Sequence, residues 1–206
     1  MKPPPEPGAR TLLDIGEFCT TFLRAQPASC WDDRAPDMEW TTRQVVAHIA
    51  NTLLWYAFDF AAGDTELSTA DVAVRDDAEP AELVRTVSAS VRLLAALVQT
   101  AEGDRRGWHP RGRADASGFA AMACDELLVH TDDVARAAGV PFAPPPELAE
   151  ATLRRLFPWA PADGEPWPNL LWANGRIALP DRPRLETWTW HCAPLSEWEP
   201  SDSGCA

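Results

Sequence analysis

The sequence predicts an all-α protein: a bundle of four long helices followed by a short irregular extension. Three observations carry that prediction. Apolar residues recur at intervals of three and four along four separate stretches, the period of a helix with one buried face. Each stretch is closed by Gly or Pro. The chain has 206 residues, 46% of them apolar, which suits one domain with a sizeable core rather than two full domains.

The first helix spans Thr11 to Ala25, where Leu12, Leu13, Ile15, Phe18, Phe22 and Leu23 follow the period and Pro27 closes the segment. Thr41 or Thr42 can N-cap the second, RQVVAHIANTLLWYAFDFAAG, which stops at Gly63. The polar stretch DTELSTADVAVRDDAEP reads as a connector. A third helix starts near Pro80, with Leu83, Val87, Val91, Leu94, Leu97 and Val98 as its core stripe and Gly103 just past its end. The loop GDRRGWHPRGRADASG leads to the fourth, about Gly118 to Ala138, an amphipathic helix ending at Gly139. ELAEATLRRLF can form a fifth. From Pro158 the composition turns to Pro, Trp and Gly, and LLWANGRIALP can form a hairpin around Asn174-Gly175. The expected division is a bundle over 1–146 and an extension over 147–206, with no internal repeat.

Charge narrows the function. A formal net charge of -13 argues against a nucleic-acid binder, which needs a basic face, and against an anionic membrane surface. It is expected to be a solvated acidic surface. No apolar run of about twenty residues occurs and MKPPPEPGAR lacks a signal-peptide core, so a cytoplasmic location is expected. Cys19, Cys30, Cys124, Cys192 and Cys205 are odd in number without CxxC spacing, so reduced structural thiols are expected. Lys2 is the only lysine beside many arginines, a skew that suggests a high-GC genome such as an actinobacterium's. Dinucleotide, Walker, GxSxG and HExxH motifs are absent.

The chemistry-bearing stretch is CDELLVHTDDVARAAG. Glu126 and His130 are four apart and therefore share one helix face, where carboxylate and imidazole suit zinc or a similar divalent ion. A catalytic site wants a third protein ligand, and His48 stands on a stripe of the second helix with Trp55 that should point into the bundle. Spacing alone leaves a second account open, in which His48 is a hydrogen-bonded core residue and the Glu-His pair lies on a solvated face. Cys124 lies about 200° round the helix from Glu126 and reads as a packing residue.

WTTRQVVAHIANTLLWY and WHPRGRADASGFAAMACDELLVHTDDVARAAG resemble the N-terminal domain of the mycothiol-dependent maleylpyruvate isomerase family, within the DinB-like group of metal-binding four-helix bundles. The resemblance covers roughly Thr11 to Gly139. It implies a divalent metal, usually zinc, on His48, Glu126 and His130, with Asp133 orienting a ligand. Fuller members of that family carry a C-terminal domain, whereas the tail from about Glu147 is shorter and rich in Trp and Pro. Trp159, Trp167, Trp172, Trp188, Trp190 and Trp198 could wall the open end of the bundle or anchor the tail to the core. Trp55 and Trp108 are candidate substrate contacts, His109 a candidate proton carrier, and Arg111 or Arg113 a candidate clamp for a substrate carboxylate. His191 is unassigned.

The resemblance implies an enzyme in which a metal activates mycothiol or another low-molecular-weight thiol. The thiolate would attack a small-molecule electrophile, as S-transferase or cis/trans isomerase. Two alternatives share the bundle: a non-catalytic protein that binds or sequesters a small molecule, and a metal-dependent hydrolase. A monomer or homodimer is expected.

Overall fold

A computed structural model describes residues 5–34 and 38–200. Among these residues the regular structure is all helical: α1 Ala9–Arg24, α2 Thr42–Ala62, α3 Pro80–Gln99, α4 Ala116–Ala138, α5 Pro146–Leu156 and α6 Pro166–Ala173, with single 3-10 turns at Ala28–Cys30 and Leu195–Glu197. Pro stands in the first turn of α3, α5 and α6, where a missing N–H costs nothing. Lys2 and Cys205 lie outside the described residues, and Cys19, Cys30, Cys124 and Cys192 are buried free thiols.

Helices α1 and α2 each pack against both α3 and α4, which makes α1/α2 and α3/α4 the diagonals of a four-helix bundle. The spacing of buried residues explains the faces. Leu12, Ile15, Cys19 and Leu23 of α1 are fully buried, as are Val45, Ile49 and Leu53 of α2. Leu83, Val87, Val91 and Leu94 of α3 answer them, while Leu97 is only half-buried at the edge of its stripe. Gly16 lets α1 approach α3 closely, because a Cβ there would collide with the Val91 side chain. Phe18 and Phe22 lie at the margin of the core and pack against Phe142 of the loop before α5, Phe18 tilted at 5.4 Å and Phe22 edge-on at 5.0 Å between centroids.

α4 departs from the amphipathic helix expected. It is buried nearly all round, including Asp125, Glu126, Thr131, Asp132 and Asp133, because α5 and the tail cover the face that the bundle leaves open. Arg155 of α5 fastens this cover. Only 1% exposed, it donates to Ser117 Oγ (3.1 Å), Asp115 Oδ1 (2.7 Å) and the carbonyls of His191 (3.1 Å) and Cys192 (3.2 Å), and pairs with Glu6 at 3.4 Å. Five partners make this buried charge tolerable.

The hairpin expected around Asn174-Gly175 does not form, and no strand occurs among the described residues. α6 instead runs through Trp172 and Ala173 and stops in a Schellman motif. Gly175 at φ 64° donates to the Trp172 carbonyl and Arg176 to that of Leu171, both at 2.8 Å. An Asn-Gly pair supplies a left-handed residue, which a helix end needs as much as a hairpin turn does. By length and composition α2 alone among the described helices could cross a membrane, and 56% of its apolar window is buried inside the protein.

Candidate metal centre

Two caps set the register of the helices that carry the site. Thr41 accepts from the Gln44 N–H and Gln44 Oε1 from the Thr41 N–H (3.0 Å), a capping box that starts α2 and turns His48, Thr52, Trp55, Tyr56 and Asp59 toward one cleft. Asp115 accepts from the Gly118 N–H at 2.7 Å and starts α4. Gly118 is required there, since a Cβ would run into the Cys192 carbonyl oxygen.

From these registers three donor side chains meet. His48 Nε2 lies 3.3 Å and His130 Nε2 3.2 Å from Glu126 Oε2, and one ligand atom from each residue falls within 4.8 Å of the others. The imidazoles stand edge to face, 4.9 Å apart at 83°. His130 Nδ1 pairs with Asp133 Oδ2 at 3.0 Å, and Asp133 is held in turn by Arg136 Nη2 (2.8 Å), Arg176 Nε (3.1 Å) and Arg176 Nη2 (3.0 Å). Tyr56 donates to the other Glu126 oxygen, Oε1, at 3.3 Å.

The electrostatics follow from burial and partners. Burial alone would raise Glu126, but the His130 and His48 imidazoles hold its carboxyl well below the usual range. Burial would lower His130, yet Asp133 and Glu126 carry it up to about 9. Asp133 falls to about 2 against its own burial, through His130 and Arg176. Burial, helped by the neighbouring Glu126 charge, pushes the Tyr56 hydroxyl well above its ordinary value, so it stays a donor.

This donor set fits a divalent cation. Glu126 Oε2 is buried near two imidazole nitrogens, yet neither contact has the alignment of a hydrogen bond, so the oxygen has no donor. Raised to about 9, His130 in the metal-free protein carries protons on both nitrogens at pH 7, Nδ1–H toward Asp133 and Nε2–H toward that same oxygen; a bound cation would take the place of the Nε2 proton. Two lone pairs at 3.2 Å repel unless a proton or a cation lies between them. Two imidazoles and a carboxylate are the ligand types of open three-ligand zinc sites, and the Asp133-His130 pair is the usual outer support.

A cleft of about 590 Å³ opens beside the cluster, lined by His48, Glu126 and Tyr56 at the centre and by Trp55, Trp108, His109, Arg111 and Trp190 at its walls. His109 packs between Tyr56 (5.7 Å) and Trp190 (5.9 Å). Its Nδ1 accepts from the Arg111 N–H at 3.2 Å, and burial, assisted by the Arg111 charge, lowers its pKa to about 4. It is therefore a neutral ring with Nε2–H as its donor at pH 7, not a ready proton acceptor there. Arg111 Nη1 donates to Thr189 Oγ1 at 3.2 Å. Arg113, the other candidate clamp, is not part of the cleft lining; it pairs with Asp64 at 3.5 Å on the surface.

Among the tail tryptophans Trp190 enters the cleft wall, its Nε1 donating to Asp125 Oδ2 at 3.1 Å while Asn174 Nδ2 donates to Asp125 Oδ1 at 2.8 Å. Trp188 links it to Phe157, with centroids 5.8 and 6.1 Å away, and Trp159 packs on Phe157 and Trp172. Trp167 packs on Phe142, and Trp198 lines a separate apolar cavity. These five anchor the tail rather than wall the cleft. His191 donates its backbone N–H to Leu156 and places Nε2 3.1 Å from the Pro194 carbonyl, away from the cleft lining. Cys124 is fully buried and packs in the core, away from the cluster.

Tyr56, Asp59, Glu66, Asp125 and Arg176 are site residues that sequence reasoning misses. One signal was present: His48, Thr52, Tyr56 and Asp59 continue at intervals of four and three along one face of α2. Nothing local announces Arg176, which arrives from the segment behind α6.

A family model described as the mycothiol maleylpyruvate isomerase N-terminal domain matches residues 12–135, more than half of the chain. No curated protein and no solved structure matches it.

Proposed function

The chain belongs to the mycothiol maleylpyruvate isomerase N-terminal domain family, and from that premise we propose a metal- and thiol-dependent enzyme acting on an electrophilic small molecule, as S-transferase or cis/trans isomerase. The observation that carries this reading is the convergence of His48, Glu126 and His130 on one point, with a buried carboxylate oxygen that receives no hydrogen bond.

His48, Glu126 and His130 would hold a divalent cation, zinc by the preference of such donors. When bound, the ion supplies the positive charge that lowers a thiol's pKa and makes a nucleophile available at neutral pH. The protein does the rest. Asp133 holds the Nδ1–H of His130, so that the proton given up to a cation would be the one on Nε2. Tyr56 engages Glu126 Oε1 and leaves Oε2 for ligation. Trp55, Trp108 and Trp190 give the cleft apolar walls that exclude water. His109 offers a neutral N–H to an oxygen of the electrophile, and Arg111 a guanidinium to an anionic group. Mycothiol is the thiol the family suggests, and a monomer or homodimer in the cytoplasm is the proposed setting.

Cobalt replacement tests this directly. Elemental mass spectrometry should find about one divalent ion per wild-type chain and none in folded His48→Ala, Glu126→Ala or His130→Ala. Adding mycothiol to the cobalt form should produce a sulfur-to-cobalt absorption band. A metal-loaded protein whose spectrum ignores thiols, while it hydrolyses esters or amides, would be the hydrolase instead. Tight ligand binding without turnover would make it a binding protein.

A further inference from the structure

Asp59 lines the cleft without a part in the chemistry above. Its residue is 8% exposed, and among the described residues no hydrogen bond or ion pair reaches its carboxylate. The residue is packed in, but its oxygens keep access to the cleft and face what fills it rather than a protein partner. Its position on α2 decides between two roles. Asp59 is eleven residues beyond His48 on one continuous helix. At 1.5 Å per residue that places it roughly 16 Å along the axis from the His48 position. A general base must come within hydrogen-bond reach of the proton it takes, directly or through one water, and Asp59 is far outside that range of the centre. It reads the far end of whatever occupies the cleft.

The surroundings define what it reads. Glu66 and Leu67 of the connector, with Trp55 one turn before Asp59 and Trp108 of the opposite loop, complete this end. Burial, then the Glu66 charge, push the Asp59 carboxyl up to about 6, as expected of a carboxylate beside a like charge without a counterion. A hydroxyl group would satisfy the oxygen lone pairs but leave two negative charges together. A cation answers both needs, and indole faces attract cations as well. Arg111, the cation of the cleft lining, is tied to Thr189 and makes no ion pair with Asp59.

We propose that Asp59, with Glu66, Trp55 and Trp108, is the recognition site for a positively charged ammonium group at the end of an elongated ligand whose reactive end lies at the His48, Glu126 and His130 centre. The inference rests on the cleft being the ligand site of the proposed enzyme. Its test uses the zinc-loaded full chain and benzyltrimethylammonium, a quaternary ion that cannot ligate metal, beside uncharged benzyl alcohol. Tryptophan fluorescence follows binding, and elemental analysis follows the metal in the same samples. The ammonium ion should bind at least tenfold more tightly than the alcohol. Asp59→Asn should abolish that preference with metal content unchanged, Asp59→Glu should keep part of it, and Glu66→Gln should weaken it several-fold. Equal affinities in the wild type, or a preference that survives Asp59→Asn, overturns the proposal. An ammonium preference in a chain that holds no metal would keep this site and sink the thiol-enzyme reading instead.

Discussion

Replacing Asp133 with Asn preserves size and removes charge, and its consequences divide between fold and metal. Asp133 is buried and accepts from His130, Arg136 and Arg176. Removing the charge from a fully buried pair costs about 3–5 kcal/mol. Here the loss is smaller, because Arg136 retains Asp132 at 3.0 Å and both guanidiniums are partly exposed. About 2 kcal/mol is expected, or a Tm roughly 4–8 °C lower, with or without metal. The second loss appears only with metal. An amide no longer fixes the His130 proton on Nδ1, and outer supports of this kind are worth about 10–100-fold in affinity, equivalent to about 1.4–2.7 kcal/mol. Competition against a chromophoric chelator measures zinc affinity, and thermal denaturation with zinc and with chelator closes the cycle. The zinc-loaded protein should be destabilised more than the stripped one by the affinity loss. If zinc affinity stays within twofold of wild type while the stripped protein loses stability, Asp133 merely anchors two arginines, and the orienting role is refuted.

Further outcomes follow from other contacts. Arg155→Met should cost about 3 kcal/mol, since it takes the donor from the His191 and Cys192 carbonyls and frees the tail, while Asp115 keeps the Gly118 N–H; an unchanged melting curve would contradict the fastening role. Trp190→Phe keeps the ring but deletes the donor to Asp125, which predicts about 1–2 kcal/mol of lost stability with metal content intact. Asp59 has a folded pKa near 6 against an ordinary value of 3.8, so its contribution to stability is complete below about 4 and lost as pH rises through 6. Urea denaturation of metal-stripped Asp59→Asn should therefore show a gain over wild type at pH 7.5, about 1–2 kcal/mol once solvent screening is allowed for, that shrinks toward pH 4.5. A gain of equal size at both pH values would place its origin elsewhere.

Much of the bundle was legible because its signals are local. The Thr41 cap, the Gly63 and Gly139 stops and the apolar spacing of α1 to α3 each depend on residues within a turn or two of one another. The placement of Glu126 and His130 on one face was legible for the same reason. Three features were not. The burial of α4 on all sides depends on α5 and the tail, which no window centred on α4 contains. Asn174-Gly175 carries the same left-handed backbone signal for a hairpin and for a helix end, and only the packing of Leu170 to Ala173 decides which. Arg113 looked equivalent to Arg111, but two positions along a loop reverse the direction a long side chain takes, toward Asp64 rather than the cleft.

The centre is drawn from segments made at very different moments of synthesis. At about 5–20 residues per second, roughly 4–16 s separate the emergence of His48 from that of Glu126, and Arg176, which steadies the support of His130, comes later still. Throughout that interval a nascent chain presents one of the three ligands and no complete site. The complete ligand set exists only once α4 has been made and packed on α2, so an ion held by all three is chosen from what the surroundings hold then. The identity of the bound metal in a preparation then reports the ion supply at the end of folding as well as the preference of the ligands.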